Sequence, residues 1–136
     1  MNAIATPRLP AYGTALLRIA LGVLFLVHGL TKLFVFTPAG TVGYFQLLGL
    51  PGGLAYVAMT LELLLGVSLV LGVYARWLAL LGVPLLLGTI VSVHGANGFS
   101  FANAGGGWEY PAFWAIALVV QCLLGDGAFA LKPSGK

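Results

Sequence analysis

Four apolar runs dominate this chain: Gly13 to Phe36, Leu54 to Val73, Trp77 to His94, and Tyr110 to Leu124. At about 1.5 Å rise per residue, roughly 20 helical residues cross a hydrocarbon core about 30 Å thick; the fourth run is the shortest and its boundaries are the softest. With 60% hydrophobic residues, 7% charged residues and a mean hydropathy of +1.06, the 136 residues carry too little polar surface for a water-soluble domain. The expected fold is all-α, a single four-helix transmembrane bundle over residues 1–136. Such a bundle leaves no room for a soluble catalytic domain, so any chemistry is done between the helices or by a partner chain.

The links refine this picture. In the first, Thr37–Pro38 supplies an N-cap followed by proline at the first helical position, and Val42, Tyr44, Phe45, Leu47 and Leu48 follow, which predicts a short helix lying in the membrane interface. Gly49–Leu50–Pro51–Gly52 ends it. The link Tyr74–Ala75–Arg76 is so short that the second and third spans must be antiparallel neighbours. The last loop, Gly95 to Glu109, mixes glycine and asparagine with Phe99, Phe101 and Trp108, a composition suited to a cap over one mouth of the bundle.

The formal charge of +3 and the pI near 9.3 read as topology signals rather than as a nucleic-acid surface. Arg8, Arg18, Arg76, Lys132 and Lys136 collect at one side and Lys32 alone at the other, which places both termini in the cytoplasm. The first span is longer than a signal-peptide core and lacks a small-x-small site at its end, so it is expected to be retained. Cys122, the single cysteine, has no partner for an internal disulfide and reads as a small buried hydrophobe.

Glu62 stands in the middle of the second apolar run. A central acid costs about 2.5–3.5 kcal/mol on insertion scales for Asp, so such a group faces the interior, finds a partner or takes up a proton. The first span offers partners: Arg18, Leu21, Phe25, His28 and Lys32 recur at three- and four-residue steps, which puts three basic side chains on one stripe. By depth, His28 is the nearest partner for Glu62; Arg18 lies roughly 10 Å to the cytoplasmic side and Lys32 about 11 Å to the other, reaching the acid only if its stem turns inward. Two readings stay open. In one, Arg18, Lys32 and Glu62 form a structural ion pair that holds two helices in register. In the other, His28, Lys32 and Glu62 line a polar pocket that binds a ligand.

Other chemistry is poorly supported. His28 and His94 differ in depth by roughly 7 Å, which disfavours paired haem ligation. No close-spaced His, Cys, Asp or Glu pair suggests a metal, and Gly105–Gly106–Gly107 lacks the Lys and Ser or Thr of a phosphate loop. Gly22, Gly29, Gly66, Ser68, Gly82 and Gly88 allow close helix approach, and Pro84 predicts a kink that frees the Leu80 carbonyl.

The run Arg18–Ile19–Ala20–Leu21–Gly22 through Phe25–Leu26–Val27–His28–Gly29–Leu30–Thr31–Lys32–Leu33–Phe34 resembles the opening signature of the DoxX family. Further similarities follow in order: Tyr44–Phe45 through Leu48–Gly49–Leu50–Pro51, Glu62 with Gly66 and the Leu71–Gly72 to Arg76 turn, His94–Gly95, Gly98–Phe99, and Gly107–Trp108–Glu109–Tyr110–Pro111. The end departs from the pattern: Gly125–Asp126–Gly127, Ala130 and Lys132 stand where a Gly-Pro-Gly turn followed by Ser and Asp is usual. The resemblance implies a four-helix protein of the bacterial inner membrane with a link to redox, since the family is named for membrane subunits of quinone-coupled sulfur oxidation. It also implies a polar set of Arg18, His28, Lys32, Glu62, Trp108 and Glu109, which adds Trp108 and Glu109 to the candidate ligand-binding residues.

Three function classes follow. The first is a redox-associated membrane subunit whose pocket takes a quinone or small solute, active at most as a non-autonomous part of a quinone-linked oxidoreductase. The second is an anchor or scaffold without a ligand, and the third a small proton-coupled carrier. The expected partners are the lipid bilayer and membrane or soluble redox proteins, with a homo-oligomer left open. No metal is implied, and quinone is the only candidate cofactor.

Overall fold

The computed structural model describes residues 8–135. Lys136, counted above among the cytoplasmic charges, lies outside the described residues. Helix α1 (Arg8–Leu30) runs on through a π-helical turn, Thr31–Val35, and is followed by α2 (Thr37–Leu47) and α3 (Gly53–Leu71). Then come α4 (Ala75–Thr89), extended by a second π-helical turn, Ile90–His94, and a 3₁₀ turn, Gly95–Asn97, and finally α5 (Glu109–Leu124). The stretches Arg8–Val35, Gly53–Leu71 and Ala75–Asn97 are long and apolar enough to cross a membrane, and α5 is a shorter apolar helix. The chain is a multi-pass, all-helical membrane protein. Among the described residues the first helix extends back beyond Gly13 to Arg8 and includes Pro10.

Helix α1 packs along α3, and α4 along α5. On α1 the buried residues Ala15, Arg18, Leu21, Gly22, Phe25 and Gly29 recur at helical spacing, while Leu16, Val23, Val27 and Leu30 face outward. In lipid there is no hydrophobic drive between helices, so contact depends on close backbone approach. A Cβ at Gly66 would stand 2.8 Å from the Leu26 amide nitrogen, and one at Gly22 would stand 2.8 Å from that of Val70. The two backbones therefore touch. Leu21, Phe25, Leu65, Leu69, Leu86, Trp114 and Leu118 fill the space between the four long helices.

The residues after α5 fold back across the end of the bundle that bears the α3–α4 link. Leu131 N–H donates to Leu71 O, Lys132 N–H to Gly72 O and Tyr74 N–H to Lys132 O, at 2.9–3.0 Å. Arg18, 0% exposed, ties this strap to the bundle. Its Nε donates to Asp126 O at 2.9 Å and Nη2 to Ala128 O at 2.8 Å, while Nη1 donates to Leu69 O at 2.9 Å and Val70 O at 3.1 Å. The last carbonyls of a helix have no intrahelical donor, and here the sequence supplies each one from elsewhere. Gly72, at φ 76°, turns the chain so that its own N–H and that of Val73 reach Ser68 O, Arg18 serves the next two carbonyls, and the strap serves Leu71. The cation also sits at the negative end of the α3 dipole.

The expectation that Arg18 shares an ion pair with Lys32 and Glu62 is corrected by this arrangement. Its guanidinium lies beside Leu69, two turns or about 10 Å along α3 from Glu62, and is satisfied by backbone carbonyls. Asp126, at the head of the strap, accepts from Ser134 N–H at 2.8 Å and from the Ser134 hydroxyl. Burial pushes its carboxyl upward, but the Ser134 hydrogen bonds and the nearby Arg76 outweigh that and hold it below the ordinary aspartate range.

Candidate functional site

At the other end the helices diverge around a cavity of about 1030 Å³. Phe25, His28 and Lys32 line it from α1, Tyr44 and Leu48 from α2, Ala58 and Glu62 from α3, Pro84 and Thr89 from α4, and Tyr110 and Trp114 from α5. His94 from the second π-helical turn and Phe101 and Gly105 from the last loop complete its rim. Phe25 closes the floor: a Cβ on Gly82 would stand 2.9 Å from the tip of its ring. Below it, Arg18, Leu65, Leu69, Leu118 and Gln121 are all fully buried, a packed plug between the cavity and the strap.

Lys32 Nζ donates to Glu62 Oε1 at 2.8 Å, and the side chains are 20% and 9% exposed. The partner of Glu62 is thus Lys32, not His28. The backbone explains the exchange. Lys32 lies in the π-helical turn, where Phe36 N–H donates back to Thr31 O at 3.0 Å, five residues earlier, and the wider turn departs from the regular α-helical register used to place these groups by depth. The Lys32 carbonyl is accommodated by α2: the buried Thr41 hydroxyl is within 3.1 Å of Lys32 O and 2.9 Å of Thr37 O. Thr37 takes a left-handed φ of 66°, costly for a β-branched residue by about 1–3 kcal/mol, and its Oγ1 accepts from Gly40 N–H at 3.2 Å.

Glu62 Oε2 is buried and has no hydrogen-bond partner among the described residues, and the same holds for the indole N–H of Trp114. The Trp114 ring packs at 4.8 Å from Phe25, 5.0 Å from His28 and 5.9 Å from Tyr110, which gives the cavity one aromatic wall. His28 is half-buried and meets that wall. At the rim, His94 Nδ1 is 2.7 Å from Gly106 O. A carbonyl only accepts, so Nδ1 carries a proton and donates it to Gly106 O.

Trp108 and Glu109 are not brought to this cavity. They border a separate hollow of about 520 Å³ with Phe99 and Phe113. Glu109 Oε2 accepts from Phe101 N–H at 2.9 Å and Trp108 packs edge-on against Phe99 at 4.9 Å, so both hold the last loop onto the start of α5. Conversely, Trp114, Tyr110 and Thr41 were not singled out from the sequence. Within an apolar run a tryptophan reads as packing, and its unused N–H becomes visible only once its neighbours are known. Among the described residues no three His, Cys, Asp or Glu side chains come together as a metal site.

No solved structure matches this chain. Among curated proteins it is similar to one from Bacillus subtilis (strain 168) named "Putative oxidoreductase CatD", 34% identical over 121 residues that span 89% of this chain and 85% of the relative. The DoxX family model matches residues 13–95, more than half of the sequence. On that match, the chain belongs to the DoxX family.

Proposed function

We propose that this protein is the membrane subunit of a redox system of the bacterial inner membrane, and that the cavity between α1, α3 and α5 holds the head of a quinone or similar small apolar solute. The observation that carries the reading is the Lys32–Glu62 pair inside a large apolar cavity, with one carboxylate oxygen unused. An ion pair serving only as interhelical glue gains from having every lone pair satisfied, because an unsatisfied buried group costs about 1–3 kcal/mol or more. Lys32 can donate to a quinone carbonyl, and Glu62 can take up or release the proton that accompanies reduction or oxidation. Electrons come from a partner protein, in keeping with the word oxidoreductase in the name of the Bacillus relative. The positive-inside distribution of Arg8, Arg76 and Lys132 supports cytoplasmic termini, an orientation in which the cavity opens toward the opposite face.

The test is hydrogen–deuterium exchange on the protein in nanodiscs with and without a short-chain quinone. Added quinone, supplied oxidised or reduced, is expected to protect the segments around His28–Val35, Ala58–Glu62 and Tyr110–Trp114 in at least one redox form, and Glu62→Gln is expected to weaken that protection while leaving the helices folded. If Glu62→Gln alters only stability or partner recovery, the anchor reading replaces this one. Glu62-dependent proton flux in liposomes would favour the carrier.

A further inference from the structure

The two unpartnered groups of the cavity are complementary. Glu62 is 93% buried by its relative exposure of 7%, and Trp114 is 6% exposed. One offers an acceptor, Oε2, and the other a donor, Nε1–H, and both residues line the same cavity. Lys32 already engages Oε1 at 2.8 Å as an ion pair, so Oε2 is the carboxylate oxygen left free to accept. An anionic oxygen repels a carbonyl and binds a hydroxyl, since O–H···O⁻ bonds are among the shortest and strongest hydrogen bonds. The wall around it is aromatic: Phe25, His28, Tyr110 and Trp114 lie ring against ring at 4.8–5.9 Å. Aromatic surfaces of this kind suit a flat ring by offset or tilted stacking.

We infer that the cavity selects an aromatic hydroxyl head, with Glu62 Oε2 accepting from the hydroxyl and the Trp114 indole N–H donating to an oxygen of the same ligand. This rests on the cavity reading above and deepens it: of the two redox forms of a quinone-type ligand, the hydroxyl form is the one held. A quinone lacks the donor that Oε2 requires, and an aliphatic alcohol lacks the ring. Loss of a hydrogen bond to a charged acceptor lowers affinity by about 10- to 100-fold.

The experiment compares binding of four probes to the protein in nanodiscs under anaerobic conditions, with empty nanodiscs as background. The probes are a decyl hydroquinone, its dimethyl ether, the corresponding quinone, and decanol. The hydroquinone is expected to bind at least about 10-fold more tightly than the other three. Glu62→Gln should remove its advantage over the ether, whereas Trp114→Phe should weaken the hydroquinone and the ether by a similar factor. An ether or quinone that binds the unsubstituted protein as tightly as the hydroquinone overturns the hydroxyl preference and leaves the cavity reading standing; equal binding of decanol overturns the aromatic part. Absence of binding by every probe overturns both the preference and the cavity reading. The decisive comparisons use the unsubstituted chain, so a folding defect in a variant cannot mask the result.

Discussion

Replacing Arg18 with methionine tests how the cavity-distal end is held together. Burying a cation is unfavourable, and swapping a buried ion pair for apolar residues is often neutral or stabilising when both partners are replaced. Here the partners are main-chain carbonyls and cannot be replaced. Of the four that Arg18 serves, those of Asp126 and Ala128 can regain water once the strap lifts, but those of Leu69 and Val70 stay at the packed end of α3. Each bond to a charged donor contributes about 1.5–3 kcal/mol, so the two stranded carbonyls set a loss of about 3–6 kcal/mol. Arg18→Lys should lose less, about 1–3 kcal/mol, because an ammonium keeps the charge but cannot span four acceptors in a planar fork. Reversible unfolding in mixed micelles measures the loss, and hydrogen–deuterium exchange over residues 125–135 reports the strap. An Arg18→Met protein within about 0.5 kcal/mol of the parent, with an unchanged strap, would refute the reasoning.

Lys32→Met leaves the Glu62 carboxylate buried without its counter-charge and should destabilise by about 3–5 kcal/mol, most of which Lys32→Met combined with Glu62→Gln should restore; the same unfolding assay, run as a double-mutant cycle, checks this. Gly66→Ala places a Cβ against the Leu26 backbone and should cost about 1–3 kcal/mol by forcing α1 and α3 apart, read as a lowered midpoint in thermal unfolding. Because the Asp126 carboxyl is held below its ordinary range in the folded chain, its contribution is present above the unfolded value of about 3.9 and is lost as pH falls through the folded one. Strap protection factors, exchange rates corrected for their intrinsic pH dependence, should therefore fall on acidification below about pH 4, and Asp126→Asn should flatten that dependence.

The membrane class, the four helices and the interfacial helix of the first loop were legible in the sequence because they rest on local properties: apolar run length against bilayer thickness, and turn residues such as Thr37–Pro38 and Gly49–Leu50–Pro51–Gly52. The pairing of an intramembrane acid with a base on the first helix was legible too, since one buried charge demands another. Which base it would be was not. That depended on a π-helical turn at Thr31–Val35, a backbone feature stabilised by Thr41 from a separate helix and absent from any regular periodicity. Arg18 shows the same limit: its place on the helix stripe was evident, but its partners are carbonyls of Leu69, Val70, Asp126 and Ala128, and carbonyls leave no mark in a sequence. Nor could composition separate Trp114, on the cavity wall, from Trp108, which clasps a loop. Length and polarity act along the chain and can be read there, whereas unsatisfied hydrogen bonds exist only between segments that tertiary packing has brought together.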